Sequence, residues 1–147
     1  DWLFVCCGGG GLLSGCALTA RTLRPELEIL GAEPAGAADA QASLREGRCI
    51  TDMVANTICD GLRGQLAPRT LALLQRHSDG ILTVDDDAVI AATRLLWERL
   101  KLVVEPSGAI GFAAVLRNRE RFAGRSIGIV ISGGNMDLDT LPWQARA

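Results

Sequence analysis

Four consecutive glycines, Gly8-Gly9-Gly10-Gly11, stand between a short apolar run and a stretch of helical periodicity. A strand, a glycine turn and a helix N-terminus form an anion site without any charged side chain. Glycines let the backbone approach a phosphate closely, and its N–H groups and the helix dipole supply partial positive charge. A tight strand–helix connection needs one or two glycines, and four exceed that need. The ligand expected here is therefore a phosphate. No lysine follows the glycines, so the loop is not a Walker-type P-loop. Gly9-x-Gly11-x-x-Ser14 lacks the third glycine of the dinucleotide fingerprint. Glu33 nevertheless stands where such a fold carries a ribose-binding acid, which keeps a Rossmann-type nucleotide-binding module as the alternative.

Other chemistries find little material. His77 is the only histidine, which argues against a histidine triad or a zinc centre. The five cysteines (Cys6, Cys7, Cys16, Cys49, Cys59) form no C-x-x-C pair, and apolar runs hold several of them. That usage suits reduced, buried thiols in a cytoplasmic protein. The 147 residues are 48% hydrophobic and 22% charged, with a net charge of −2, enough apolar chain for one packed core. Interspersed charges leave no basic face for nucleic acid, and no stretch is long and apolar enough to be read as a membrane span. Asp1 opens the sequence and an apolar strand begins at the next residue, so the chain is expected to be the C-terminal part of a longer one.

The elements that must position the glycine turn follow from periodicity. Residues 2–7 read as a strand, 12–23 as a helix and 27–32 as a second strand ending at Glu33-Pro34. Residues 37–45 read as a helix stopped at Gly47. The stretch 48–64 has no clear period, with a turn at Asp60-Gly61. Pro68 opens a helix through 75, and 81–84 is a short strand. Asp85 is an N-cap, with Asp86 and Asp87 in the first turn of a helix through Leu100. Residues 102–104 form a brief extended apolar run. Ser107 is expected to cap a helix to about Asn118, and 126–131 to form a fully apolar strand ending at Ser132-Gly133-Gly134-Asn135. Strands alternating with helices predict an α/β fold, a parallel sheet flanked by helices. Ligands of such sheets bind beyond the C-terminal strand ends. The glycine turn, Glu33-Pro34 and the Ser132 turn all lie there.

Five stretches together carry a resemblance: Gly8-Gly9-Gly10-Gly11-Leu12, Gly31-Ala32-Glu33-Pro34, Thr57-Ile58-Cys59-Asp60-Gly61, Val104-Glu105-Pro106-Ser107-Gly108-Ala109 and Ser132-Gly133-Gly134-Asn135-Met136-Asp137. In order and spacing the chain resembles the pyridoxal-phosphate (PLP) enzymes of fold type II, the tryptophan synthase β-like fold. Within them it is most similar to the serine racemase and serine/threonine dehydratase branch. The resemblance implies that residues 1–147 are the C-terminal part of the PLP-binding large domain, without its N-terminal part or the small domain. It implies that N–H groups of Gly8, Gly9, Gly10, Gly11 and Leu12 hold the cofactor phosphate. Ser132 would hydrogen-bond the pyridine nitrogen, Glu105 would lie near the ring and Gly61 would line its pocket. Glu33, the Ala37 carbonyl and Asp39 resemble a site for Mg²⁺ or Ca²⁺. Lys101 and Asn135 match positions that contact a nucleotide effector in some serine racemases. The implied substrate is a small hydroxy amino acid and the implied assembly of the full-length protein is a homodimer.

The sequence also departs from that pattern. The family's Schiff-base lysine lies in its N-terminal part. Lys101 is the only lysine here, and its Glu-Arg-Leu-Lys setting does not match that motif. The chain by itself is therefore expected to be inactive. A non-catalytic remnant is the further alternative to a fragment of an enzyme.

Overall fold

The computed structural model describes residues 1–144. Its elements run β1 (Trp2–Cys6), α1 (Gly11–Leu23), β2 (Glu28–Pro34), a 3-10 turn (Ala35–Ala37), α2 (Asp39–Glu46), a second 3-10 turn (Asp60–Leu62), α3 (Pro68–His77), β3 (Ile81–Val84), α4 (Asp86–Leu100), α5 (Pro106–Arg117) and β4 (Ile127–Ile129). The described strands form one all-parallel sheet in the order β3-β2-β1-β4. Trp2 pairs with Glu28 on one side and Ile127 on the other, so the first strand is central.

Alternation along β1 divides the core between two faces. Phe4 and Cys6 point to one side, with Leu30, Ala32 and Val84, against Val89 and Ala92 of α4 and Ile110 and Ala113 of α5. Phe122 closes this layer edge-on to Phe4, with ring centroids 5.1 Å apart. Val5 and Cys7 point to the other side, with Ile29 and Ile81, against Leu13 and Ala17 of α1, Ala40 of α2, and Leu71 and Leu74 of α3. The result is helix, sheet, helix, and both Phe4 and Val5 are fully buried. A strand buried on both faces reads as a continuous apolar run, as residues 2–7 do.

Three expectations are corrected. The helix expected over 37–45 is split: a 3-10 turn takes Ala35–Ala37, and α2 starts only at Asp39. Ser107 does not cap α5, because Pro106 already occupies the first helical position and Glu105 is the N-cap. The strand expected over 126–131 shrinks to Ile127–Ile129, none of it buried, because among the described residues nothing pairs with its outer edge.

Candidate functional site

The C-terminal end of β1 delivers the chain into the glycine turn. Gly10 adopts φ 79°, ψ 0°, the left-handed region, and serves as N-cap of α1. A side chain at that position would be strained, and its Cβ would lie 2.5 Å from Leu66 Cδ2. A glycine cap offers no side-chain acceptor, and the first turn holds no acid. The first intrahelical bond is donated by the Ser14 N–H to the Gly10 carbonyl, 2.9 Å. The N–H groups before it have no intrahelical partner and remain available to a ligand.

Gly8, Gly9, Gly10, Gly11 and Leu12 line one wall of a cleft of about 230 Å³. Gly61 and Leu62 form a second wall, and Glu105, Ser107, Ser132 and Cys6 complete it. The walls are held by contacts between distant segments. Gly8 lies so close to the second 3-10 turn that a Cβ there would sit 2.9 Å from Leu62 Cα. The Gly61 N–H donates to Ser107 Oγ at 3.1 Å, which ties that turn to the start of α5. The Glu105 N–H donates to the Gly133 carbonyl at 3.1 Å. Its carboxylate lies against Gly133, where any Cβ would collide with Glu105 Oε1. Ser132 Oγ lies 3.3 Å from Cys6 Sγ. The cleft thus combines a helix N-terminus with two hydroxyls, a thiol and one carboxylate, so an anionic group could meet the helix start while polar groups meet the side chains.

Glu33 lies near the C-terminal end of β2, Ala37 ends the first 3-10 turn and Asp39 opens α2. Glu33 is 1% exposed, and its two carboxylate oxygens accept the N–H groups of Ala40 (3.1 Å) and Gln41 (2.7 Å). The acid therefore caps α2, whose own N-cap is Ala38 and has no side-chain acceptor. Burial pushes the Glu33 carboxyl up to about 8 against those two donors, and Asp39 nearby adds to the rise. Burial likewise raises Asp39, which is 3% exposed. Asp39 Oδ2 is buried with no hydrogen-bond partner among the described residues. Two buried carboxylates, one with an orphaned oxygen, form a donor set that a hard divalent cation would satisfy.

Lys101 and Asn135 lie elsewhere. Lys101 is the C-cap of α4 at φ 58°, and its Nζ donates to the Glu98 carbonyl at 2.8 Å. Asn135 lines a second cleft of about 970 Å³ with Asp60, Pro106 and residues of the C-terminal segment, and Lys101 is not in its lining. Three residues of the first cleft escaped the sequence reading: Cys6, Leu62 and Ser107. Cys6 shares a strand face with Phe4 and stands two residues before the glycines, a usable signal. The sequence reads Ser107 as a helix cap, but it lies inside α5 behind Pro106, and its hydroxyl accepts the Gly61 N–H instead.

A family profile described as pyridoxal-phosphate dependent enzyme matches residues 1–133. The chain belongs to that family. Among relatives of this chain, the beta-hydroxyaspartate dehydratase of Paracoccus denitrificans (strain Pd 1222) is 43% identical over 136 residues, 92% of this chain and 43% of that protein. The L-threo-3-hydroxyaspartate ammonia-lyase of Saccharomyces cerevisiae is 45% identical over 139 residues, 94% of this chain and 43% of that protein. The structure of maize serine racemase superposes with a TM-score of 0.90 at 44% identity, covering 96% of this chain and 44% of that one. The chain thus spans less than half the length of these relatives.

Proposed function

We propose that the full-length protein is a PLP-dependent enzyme acting on small hydroxy amino acids, by elimination of water with loss of ammonia, by racemisation, or by both. The observation that carries this is the convergence of the α1 N-terminus, Gly61, Glu105 and Ser132 on one cleft of about 230 Å³. PLP, when bound, supplies an electron sink for the substrate Cα. The residues of this chain bind and orient it. N–H groups of Gly8 to Leu12 would hold the phosphate, a task for which the uncapped, acid-free helix start is suited. Ser132 would offer its hydroxyl to the ring nitrogen. A neutral hydroxyl cannot keep that nitrogen protonated as a carboxylate would, so its proton stays on the serine. That favours loss of a β-hydroxyl or reprotonation at Cα over transamination. Glu105 and Gly61 would flank the ring, the one anchored through the Gly133 carbonyl and the other through Ser107.

Mg²⁺ or Ca²⁺ would take Glu33, the Ala37 carbonyl and Asp39, and the orphaned Asp39 oxygen supports this. The donor set fits a hard cation, which would offset the cost of burying two acids together. A homodimer and a cytoplasmic location belong to the same reading. Among the described residues, no helix is long and apolar enough to cross a membrane.

The test is titration of the full-length protein with PLP and, in parallel, with NAD. Ammonia, 2-oxo acid and D-serine are then measured from serine, threonine and 3-hydroxyaspartate. PLP binding with turnover of at least one substrate is expected. Binding of NAD without PLP would replace the reading by a nucleotide-binding module, and PLP binding without turnover by a non-catalytic remnant.

A further inference from the structure

The cleft contains a thiol for which the proposed chemistry has no use. Cys6 is the last residue of β1, and Ser132 follows β4, 126 positions later in the chain. The parallel pairing of Phe4 with Ile129, extended by the Val130 N–H to the Phe4 carbonyl at 2.9 Å, brings both residues to the same sheet end. There Cys6 Sγ and Ser132 Oγ stand 3.3 Å apart, and both line the cleft. Cys6 is 6% exposed, whereas Ser132 is exposed to the cleft and solvent.

Either atom can be the donor at this distance, and acceptor strength favours one direction. A thiol sulfur is a weak acceptor, while a hydroxyl oxygen accepts well and has two lone pairs. Burial raises the Cys6 thiol above its ordinary value, so it keeps its proton. The favoured arrangement is S–H donating to Ser132 Oγ. That occupies one serine lone pair and leaves the serine O–H without a partner among the described residues.

Resting on the reading of the cleft given above, we infer that Cys6 is a positioning residue for the cofactor: its thiol donates to Ser132 and turns the serine proton toward the ring nitrogen. The arrangement selects an acceptor in the cleft, hence an unprotonated ring nitrogen, over a ring N–H. Cys6 touches only Ser132 in this role. It acts through the orientation of the hydroxyl.

The test is a double-mutant cycle in the full-length protein: wild type, Cys6→Ala, Ser132→Ala and the double variant, with Cys6→Ser as the conservative replacement. The primary readout is the PLP dissociation constant from titration of the apo-protein. The absorption band of the bound cofactor is followed alongside. Cys6→Ala should weaken PLP by about 3- to 10-fold, the range of one neutral hydrogen bond. Cys6→Ser, which keeps a donor, should restore binding. In the Ser132→Ala background, Cys6→Ala should change neither affinity nor spectrum. An equal loss in both backgrounds would mean that Cys6 acts by packing, and no loss in either would mean that the thiol does not act; both outcomes overturn the inference while leaving the PLP reading intact. If Cys6→Ala does not fold, Cys6→Val fills the space without a donor and carries the same expectation. Failure of the wild type to bind PLP would overturn the reading of the cleft and the inference with it.

Discussion

Gly8→Ala and Gly11→Ala should separate sharply although both residues belong to one glycine run. At Gly8 the new methyl would lie 2.9 Å from Leu62 Cα, 3.2 Å from its carbonyl carbon and 3.3 Å from the Gly61 oxygen. All three are backbone atoms, so no side chain can swing aside. Carbon atoms in ordinary contact stand about 3.5–4.0 Å apart, so the turn must retreat by roughly 0.6–1.1 Å. It resists, because Leu62 is buried and Gly61 is held by Ser107. Overpacking of this kind costs about 1–3 kcal/mol. At Gly11 a methyl meets nothing within 4 Å, and the residue is the first of α1 without a positive φ. Alanine there should gain about 0.5–1 kcal/mol over glycine. The two variants should therefore differ by about 1.5–4 kcal/mol. Urea unfolding of the full-length apo-protein measures this, provided the slope is common to both. Gly8→Ala should also raise the PLP dissociation constant, because it pushes apart two walls of the cleft. A Gly8→Ala protein as stable as Gly11→Ala, with the same slope, would refute the claim that close backbone approach shapes the site.

Three further expectations are smaller. Asp79 accepts the Ile29 N–H at 2.6 Å and pairs with Arg21; since both side chains are about a quarter to a third exposed, Asp79→Ala should cost about 1–2 kcal/mol in chemical denaturation, and a change near zero would show the cluster to be ornamental. Glu33→Ala and Asp39→Ala should each weaken the thermal stabilisation of the full-length protein by Mg²⁺ or Ca²⁺, and unchanged metal response in both would remove the cation assignment. The 147-residue chain alone should show no turnover, since Lys101 is its only lysine and is exposed at the end of α4; stoichiometric labelling of Lys101 after PLP and borohydride, together with dehydratase activity, would overturn this.

The order of strands and helices could be read from the sequence because apolar spacing of two or of about 3.6 is a local property. The expectation of an anion site rests on equally local features. A helix N-terminus with three glycines before it and Gly11 as its first residue needs no distant partner to present its N–H groups. The Asp85 cap was equally local: its side chain accepts the Ala88 N–H at 2.8 Å, within one turn. Periodicity says which face of an element is buried, and it does not say which strand lies beside which. That β4 pairs with β1 was decided by tertiary structure, and only this pairing brings Ser132 to Cys6. Ser107 has the sequence position of a cap, yet its hydroxyl accepts the N–H of Gly61, 46 residues away. The break in the helix expected at 37–45 has the same origin. Glu33, buried at the end of β2, accepts the N–H groups of Ala40 and Gln41, and the helix begins where the fold turns that carboxylate, seven and eight residues upstream, back onto those amides.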